Sequence, residues 1–262
     1  MIRSLFTAAS GMRAGQLRVD NTSNNIANVN TPGYRKSQVD FADMLYQPAA
    51  AGRLLVGSGV LPIVVTRDLS GGALTETGLP LDLAIAGDGF FVVTGEEGEA
   101  RYTRDGSFRL DGQGRIVNSS GLEVRLDPAG GAIPPLLLPP EALAINVSEE
   151  GELTYRLPDS DETYVAGRVQ VAVPVPRAPG RTVDMLPQGQ NLYAPSADTV
   201  MELRVAATDG TGAVKAGFLE RSNVSLVDEM VDLIAAQRAY ELSARAVHTA
   251  DQMLALANNL RR

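Results

Sequence analysis

Helical periodicity occurs at the two ends of the chain and nowhere between them. From Ile2, the positions Ile2, Leu5, Ala9, Met12, Gln16, Val19, Ser23 and Ile26 recur in steps of three and four, the spacing of a helix seam. Toward the other end, one stripe takes in Leu226, Met230, Leu233, Gln237, Tyr240, Ala244, Val247, Asp251 and Leu254. A second takes in Ala235, Ala239, Leu242, Ala246, Thr249, Met253, Leu256 and Leu260. Two stripes on one helix imply more than one neighbour. Ser225 supplies a cap for this C-terminal helix, with Asp228 and Glu229 in the first turn, where acids favour a helix start.

The N-terminal pattern is weaker. Gly11 and Gly15 each cost ~1 kcal/mol against Ala in a helix interior. Its last turns, SNNIANVNTPGYRKS, fill with asparagine, whose side chain competes for the backbone. Asn21, Asn24, Asn25 and Asn28 stand at i, i+3, i+4 and i+7 and so line one face of a helix. A row of primary amides there can exchange hydrogen bonds with neighbouring helices and fix their register; a solvated polar face is the alternative. The helix is expected to end where Thr31-Pro32-Gly33 begins, because Pro32 pushes its predecessor out of helical geometry and Gly33 suits a left-handed turn. With so few strong apolar positions and poor propensity, neither end holds a helix alone, and both are expected to fold on association.

The middle of the chain alternates instead. LDLAIA (81–86), FFVVT (90–94), SFRL (107–110), RIVN (115–118), ALAINVS (142–148), LTYRL (153–157) and GRVQVAVPV (167–175) read as strands separated by Gly- and Asp-rich turns. Prolines at 134–140 and 174–179 mark edges or connections. Residues 46–62 read as a loop or extended arm. The expected fold is therefore α+β, with N- and C-terminal helices paired in a coiled-coil-like inner domain, and with a central all-β domain. The helical domain takes residues 1–32 and 218–262, a connecting arm and β region 33–80 and 190–217, and the outer β domain 81–189.

Much chemistry is excluded or unsupported. A net charge of -8 opposes nucleic acid as a partner. Cysteine is absent, so no thiolate site or disulfide framework exists. His248 is the one histidine and falls inside a helical repeat, where packing or surface exposure is the expected role. Asp105 and Asp111 precede or adjoin glycine-rich turns and read as turn residues, not a catalytic carboxylate pair. Gly87-Asp88-Gly89 lacks the third glycine and following helix of a dinucleotide loop. No catalytic residue, cofactor, metal site or small-molecule substrate is expected. The apolar runs are too short to span a bilayer, and Arg13 and Arg18 interrupt any signal-peptide core, so no cleaved signal is expected.

The run SNNIANVNTPGYR resembles the axial proteins of the bacterial flagellum, whose rod, hook and hook-associated members share an Ala-Asn, Thr-x-Gly-aromatic signature after an N-terminal helix. Ala27, Asn28, Thr31, Gly33 and Tyr34 carry it. PLDLAIAGDGFFVV with RYTRDGSFRLDGQGRIVNSSG resembles the strand region of the rod proteins, and LERSNVSLVDEMVDLIAAQRAYELSARAVHTADQM their C-terminal helix. The run Gln237-Arg238-Ala239-Tyr240-Glu241 is similar to the distal members, although residues 46–57 are shorter than their pattern.

The resemblance implies a structural rod subunit of the basal body, which spans the periplasm. It implies a hollow helical drive shaft with the terminal helices around an export channel and the β domain toward the ring bushing. The implied partners are copies of the chain, proximal-rod and hook subunits, the bushing and the flagellar type III export apparatus, a route of export that needs no cleaved signal. Expected assembly contacts are the Asn face with Ile26, the exit segment Thr31, Pro32, Gly33 and Tyr34, and the C-terminal positions Leu226, Met230, Leu233, Gln237, Arg238, Tyr240, Glu241, Leu242, Val247, Met253, Leu254, Leu256 and Leu260. A proximal-rod or hook-type subunit is the alternative within the family. A secreted β-domain binding module or glycan hydrolase is the alternative outside it.

Overall fold

The computed structural model describes residues 2–44, 47–48, 55–95, 98–127, 138–139, 142–158, 162–181, 183–208 and 210–259. An N-terminal helix, a C-terminal helix and a β-rich middle make an α+β chain. It forms two compact units. One is helical (Met1–Val29, Lys36–Asp68, Val224–Arg262) and the other is built of strands (Asn30–Arg35, Leu69–Asn223).

In the helical unit, α1 (Ile2–Ala27) and α2 (Leu226–Asn259) run antiparallel: Gly11 faces Ser243, Gly15 faces Tyr240, and Asn25 reaches Glu229. The approach is close because of the glycines. A Cβ added to Gly15 would lie 3.3 Å from Tyr240 Cβ and 3.4 Å from its Cα. The residues that weaken α1 as an isolated helix thus let the α2 backbone come near. Gly15, Thr22 and Asn25 of α1 are buried; Leu5, Met12, Val19 and Ile26 of the expected seam are half-buried, as are Ala8 and Gly11, while Ala9, Gln16 and Ser23 of that seam are exposed.

The helix α1 stops at Ala27 rather than continuing to Thr31. Asn28 N is shared between Asn24 O at 3.2 Å and Asn25 O at 3.1 Å, and Val29 N bonds Ile26 O at 3.2 Å, so the last turn tightens. Asn28 Nδ2 also donates to Asn24 O at 2.9 Å. The amide side chain takes over helix carbonyls at the point where the helix ends.

Between the helices in sequence, Ser37–Asp43 pairs antiparallel with Val60–Arg67. Gln47–Pro48 pairs with Leu55–Val56, so the segment read as an arm is partly strand; residues 45–46 and 49–54 lie outside the described ones. Pro62 argues against a strand in sequence, but the register shifts between Asp40 and Phe41, opposite Ile63, and the bulge accommodates it.

In the β unit every pairing is antiparallel. The largest sheet runs Met185–Gly189, Leu192–Pro195, Ala100–Thr103, Phe90–Thr94, Glu123–Val124, Ile116–Val117 and Arg109–Leu110, with Val171–Pro176 pairing both Phe90–Thr94 and Thr199–Arg204. A second sheet orders Leu126–Asp127, Thr163–Val169, Glu152–Arg156 and Leu143–Val147. Two further pairs join Leu83–Ala86 to Ala213–Ala216 and Leu74–Glu76 to Phe218–Glu220.

FFVVT sits centrally because both its faces are apolar: Phe91 and Val93 enter the cluster containing Leu83, Phe108 and Leu153, whereas Phe90 and Val92 enter the one containing Met185 and Tyr193. The run 167–175 is not one strand. It turns at Gln170, whose Nε2 bonds Asp127 Oδ1, and passes from the second sheet into the first. Pro174 and Pro176 fall where that strand has left Phe90–Thr94 and keeps one neighbour, where a missing donor costs no ladder bond.

Candidate assembly site

The residues expected at assembly contacts fall into three groups, and each group belongs to one unit. The first is the asparagine face. Asn25 is 1% exposed, and its amide is used inside the chain: Oδ1 accepts from Ser37 N at 3.0 Å while Nδ2 donates to Ser37 O at 2.9 Å. Asn21 adds a bond from Nδ2 to the same carbonyl at 2.8 Å and accepts from Ser37 Oγ at 2.6 Å. Asn24 and Asn28 bond one another at the helix end, where Asn24 and Ala27 are exposed and Ile26 is half-buried.

A carboxylate completes this group. Buried Glu229 accepts from Asn25 Nδ2 at 3.1 Å and lies 2.6 Å from Lys36 Nζ. The hydrogen bond to Glu229 is the main cause that raises Lys36 above the ordinary lysine value, and burial opposes it. Sequence reading gives Glu229 only a first-turn role and leaves Lys36 unremarked. The Asn25–Glu229 contact spans 204 residues and no local pattern signals it.

The second group lies where α1 hands the chain to the β unit. Gly33 has φ of +67°, and a Cβ there would come within 2.4 Å of Arg104 C and 2.5 Å of Asp105 N. Only glycine fits, both for the backbone angle and for the approach. Gly33 N donates to Glu220 O at 2.8 Å, Pro32 O accepts from Asn191 Nδ2 at 3.0 Å, Thr31 O accepts from Tyr34 N at 3.3 Å, and Tyr34 is buried.

Next to it, Arg35, Glu220 and Arg104 are 0%, 1% and 2% exposed. Arg35 Nη1 lies 2.7 Å from Glu220 Oε1, and Arg104 Nη1 lies 3.0 Å from Oε2. Burial pulls Arg104 down to about 10, with Arg35 adding to the fall and Glu220 opposing it, so the side chain stays cationic at neutral pH. Asp105, read as a turn residue, accepts from Ser107 N at 3.0 Å and Ser107 Oγ at 2.7 Å. Asp111 does the same for Gln113 N and Arg115 N, and these bonds hold it below the ordinary aspartate value. Neither faces a reactive partner. His248 is exposed, and among the described residues no group of three or more His, Cys, Asp or Glu could hold a metal ion.

The third group is α2. Leu233, Ala244 and Val247 of the first stripe are half-buried; Leu226, Met230, Gln237, Tyr240 and Asp251 are exposed. Arg238 and Glu241 are exposed and paired at 2.8 Å. Every described member of the second stripe is exposed, including Leu242, Met253 and Leu256. Leu260 and the side chain of Leu254 lie outside what the structure describes. Val227, Met230, Val231, Ile234, Leu242, Met253 and Leu256 are 71%, 53%, 62%, 58%, 64%, 48% and 63% exposed. They lie three or four residues apart, or multiples of that, and so share one uncovered face. Among the described residues no helix is long and apolar enough to cross a membrane, so this face belongs to no membrane-spanning helix.

Terminal helices that pair with each other, enclose a β insertion in sequence and leave an apolar face uncovered define a subunit built for assembly. Known proteins agree along the whole chain. Family models match in order: the flagella basal body rod protein over residues 5–35, the flagellar hook protein FlgE/F/G D1 domain over 84–155, and the flagellar basal body rod FlgEFG protein C-terminal region over 215–260. The flagellar basal-body rod protein FlgG of Borreliella burgdorferi is 37% identical over 100% of both chains, and that of Bacillus subtilis 36% identical over 100% of both. The flagellar hook protein FlgE of Helicobacter pylori is 42% identical over 48% of this chain and 19% of its own. The chain belongs to the flagellar basal-body rod protein family and is a structural subunit of the rod.

Proposed function

We propose that this subunit builds the distal segment of the rod, polymerising into a hollow helical drive shaft that transmits torque and encloses the export channel. It acts without catalysis. In the polymer, residues 1–32 and 218–262 form the inner tube, 33–80 and 190–217 connect, and 81–189 face the ring bushing. Within the tube α1 and α2 pair as in a coiled coil, joined by the same helices of neighbouring copies. The other partners are proximal-rod and hook subunits and the type III export apparatus that delivers the chain.

The observation that carries this reading is the uncovered apolar face of α2. Each of its large side chains gains roughly 1.5–3 kcal/mol on full burial, so copies of the chain that cover one another's faces gain stability no lone copy has. Leu226, Met230, Gln237, Tyr240, Leu242, Met253 and Leu256 are the contacts on that helix, with Asn24, Ile26, Ala27 and Asn28 at the end of α1. Likeness to FlgG proteins over the full length supports the distal position. Likeness to a hook protein over about half the chain favours a hook-type subunit as second reading.

Immunogold labelling of purified basal bodies tests the placement. Label on the distal rod is the expected result, and label on the hook or the proximal rod overturns it. Removing residues 1–30 and 226–262 should abolish rod assembly and swimming, whereas a secreted binding module or enzyme would keep its activity.

A further inference from the structure

The chain crosses between its two units four times, at residues 29/30, 35/36, 68/69 and 223/224. On the β side the second and third crossings meet one carboxylate, that of Glu220, and the first and fourth bond backbone close to it. Arg35, the last residue before the second crossing, places Nη1 2.7 Å from Glu220 Oε1 and donates to Ser70 O, just past the third. Gly72 N donates to the same Oε1 at 2.7 Å. Gly33, just past the first crossing, donates from its N to Glu220 O at 2.8 Å. Asn223, at the fourth, donates from Nδ2 to Ser70 O at 3.1 Å and from its backbone N to Tyr34 O at 3.4 Å.

Arg104 holds the carboxylate from the other side. Its Nη1 bonds Glu220 Oε2 at 3.0 Å and Ile85 O at 3.2 Å, its Nη2 bonds Gly87 O at 2.7 Å, and its guanidinium lies 5.3 Å from the centre of the Phe90 ring. Two arginines on one buried glutamate are a costly way to fill a core. Apolar residues of the same volume are often as stable or more so, because they need no desolvation of charge. The ions supply direction instead: a guanidinium fork accepts its partners in one geometry only.

We propose that Glu220 is a positioning residue of the rod subunit: clamped between Arg35 and Arg104, its carboxylate fixes the second and third chain crossings on the β unit in one arrangement, so that copies are geometrically interchangeable in the polymer. The inference rests on the rod reading above. A merely structural cluster would affect stability alone, whereas a positioning cluster affects rod shape at unchanged stability.

The test replaces the cluster with the apolar triple variant R35M/R104M/E220L, expressed in a strain lacking its own copy of the gene. Thermal unfolding of the purified chain is read beside electron micrographs of isolated basal bodies and swimming in soft agar. The expected result is a melting temperature at or above that of the unaltered chain, with rods that are missing, short or curved and swimming lost. Straight, full-length rods and normal swimming from the triple variant overturn the proposal. If the triple variant does not fold, R104K decides, because it keeps the charge and loses the fork. A folded R104K chain with misshapen rods supports the proposal, normal rods overturn it, and failure of both variants to fold shows a fold-holding role and overturns it too. Failure of the unaltered chain to restore swimming counts against the rod reading itself and removes the inference with it.

Discussion

The side-chain amide of Asn25 and the backbone of Ser37 bond each other reciprocally, Oδ1 to N at 3.0 Å and Nδ2 to O at 2.9 Å, as two strand residues would. A helix residue thereby supplies the sheet-like partner that the first residue of Ser37–Asp43 would otherwise lack on that side. Asn25→Ala leaves the buried Ser37 N–H without its acceptor, while Ser37 O keeps Asn21. The expected loss is about 1–3 kcal/mol, read by denaturant unfolding, with faster hydrogen exchange at Ser37 as the local sign. Asn25→Asp should be worse at neutral pH, because it sets a carboxylate against Glu229, and Glu229→Gln should relieve part of that loss.

Gly33 makes a second, sharper prediction. At φ +67° with Arg104 C 2.4 Å from a would-be Cβ, no rotamer change relieves Gly33→Ala, since the obstacle is backbone. The left-handed angle alone costs on the order of 1–3 kcal/mol, and the clash adds to it. Denaturant unfolding should show a loss beyond that figure, and a strain carrying the variant should not swim. A Gly33→Ala chain as stable as the original would contradict the geometry.

These two positions differ in how far the sequence announced them. Gly33 follows Thr31-Pro32, and the turn is legible because proline and glycine restrict the backbone locally. FFVVT was equally plain as a strand, and its four successive apolar residues, Phe90 to Val93, demand two buried faces. The role of Asn25 was half visible: the amides on one face pointed to hydrogen bonds with neighbouring helices, and Glu229 of α2 is one partner, but the backbone of Ser37 in the returning chain is another that the pattern did not suggest. The cluster of Arg35, Glu220 and Arg104 left no trace, because a charge does not reveal a partner 116 or more residues away. The seam of α1 was legible in part: Leu5, Met12, Val19 and Ile26 are half-buried, but apolar periodicity finds large side chains and does not find the close approach at Gly11 and Gly15.

That last point separates two glycines that look alike in sequence. A Cβ on Gly11 would meet only the Ser243 side chain, Oγ at 3.0 Å, which can rotate away. A Cβ on Gly15 would press on Tyr240 N, Cα and Cβ at 3.3–3.5 Å, which moves only with α2. Gly11→Ala should therefore realise most of the ~1 kcal/mol propensity gain, and Gly15→Ala should realise little or none of it. Gly15→Val should separate the helices. Melting curves of the three variants, with helix content from circular dichroism, give the order Gly11→Ala, Gly15→Ala, Gly15→Val from most to least stable.

The contact between Lys36 and Glu229 predicts the response to alkali. The folded state raises the Lys36 pKa, chiefly through its hydrogen bond to Glu229, so folding is favoured by the bound proton. That contribution is fully present below the unfolded lysine value of about 10.4 and is lost as pH climbs through the higher folded value. Melting temperature should therefore fall across that alkaline window. In Glu229→Gln the ammonium loses its strongest partner, the folded and unfolded values draw together, and the alkaline fall should flatten even though the variant starts less stable at pH 7. Parallel curves for the two proteins above pH 10 would show that the proton on Lys36 is not linked to folding through Glu229.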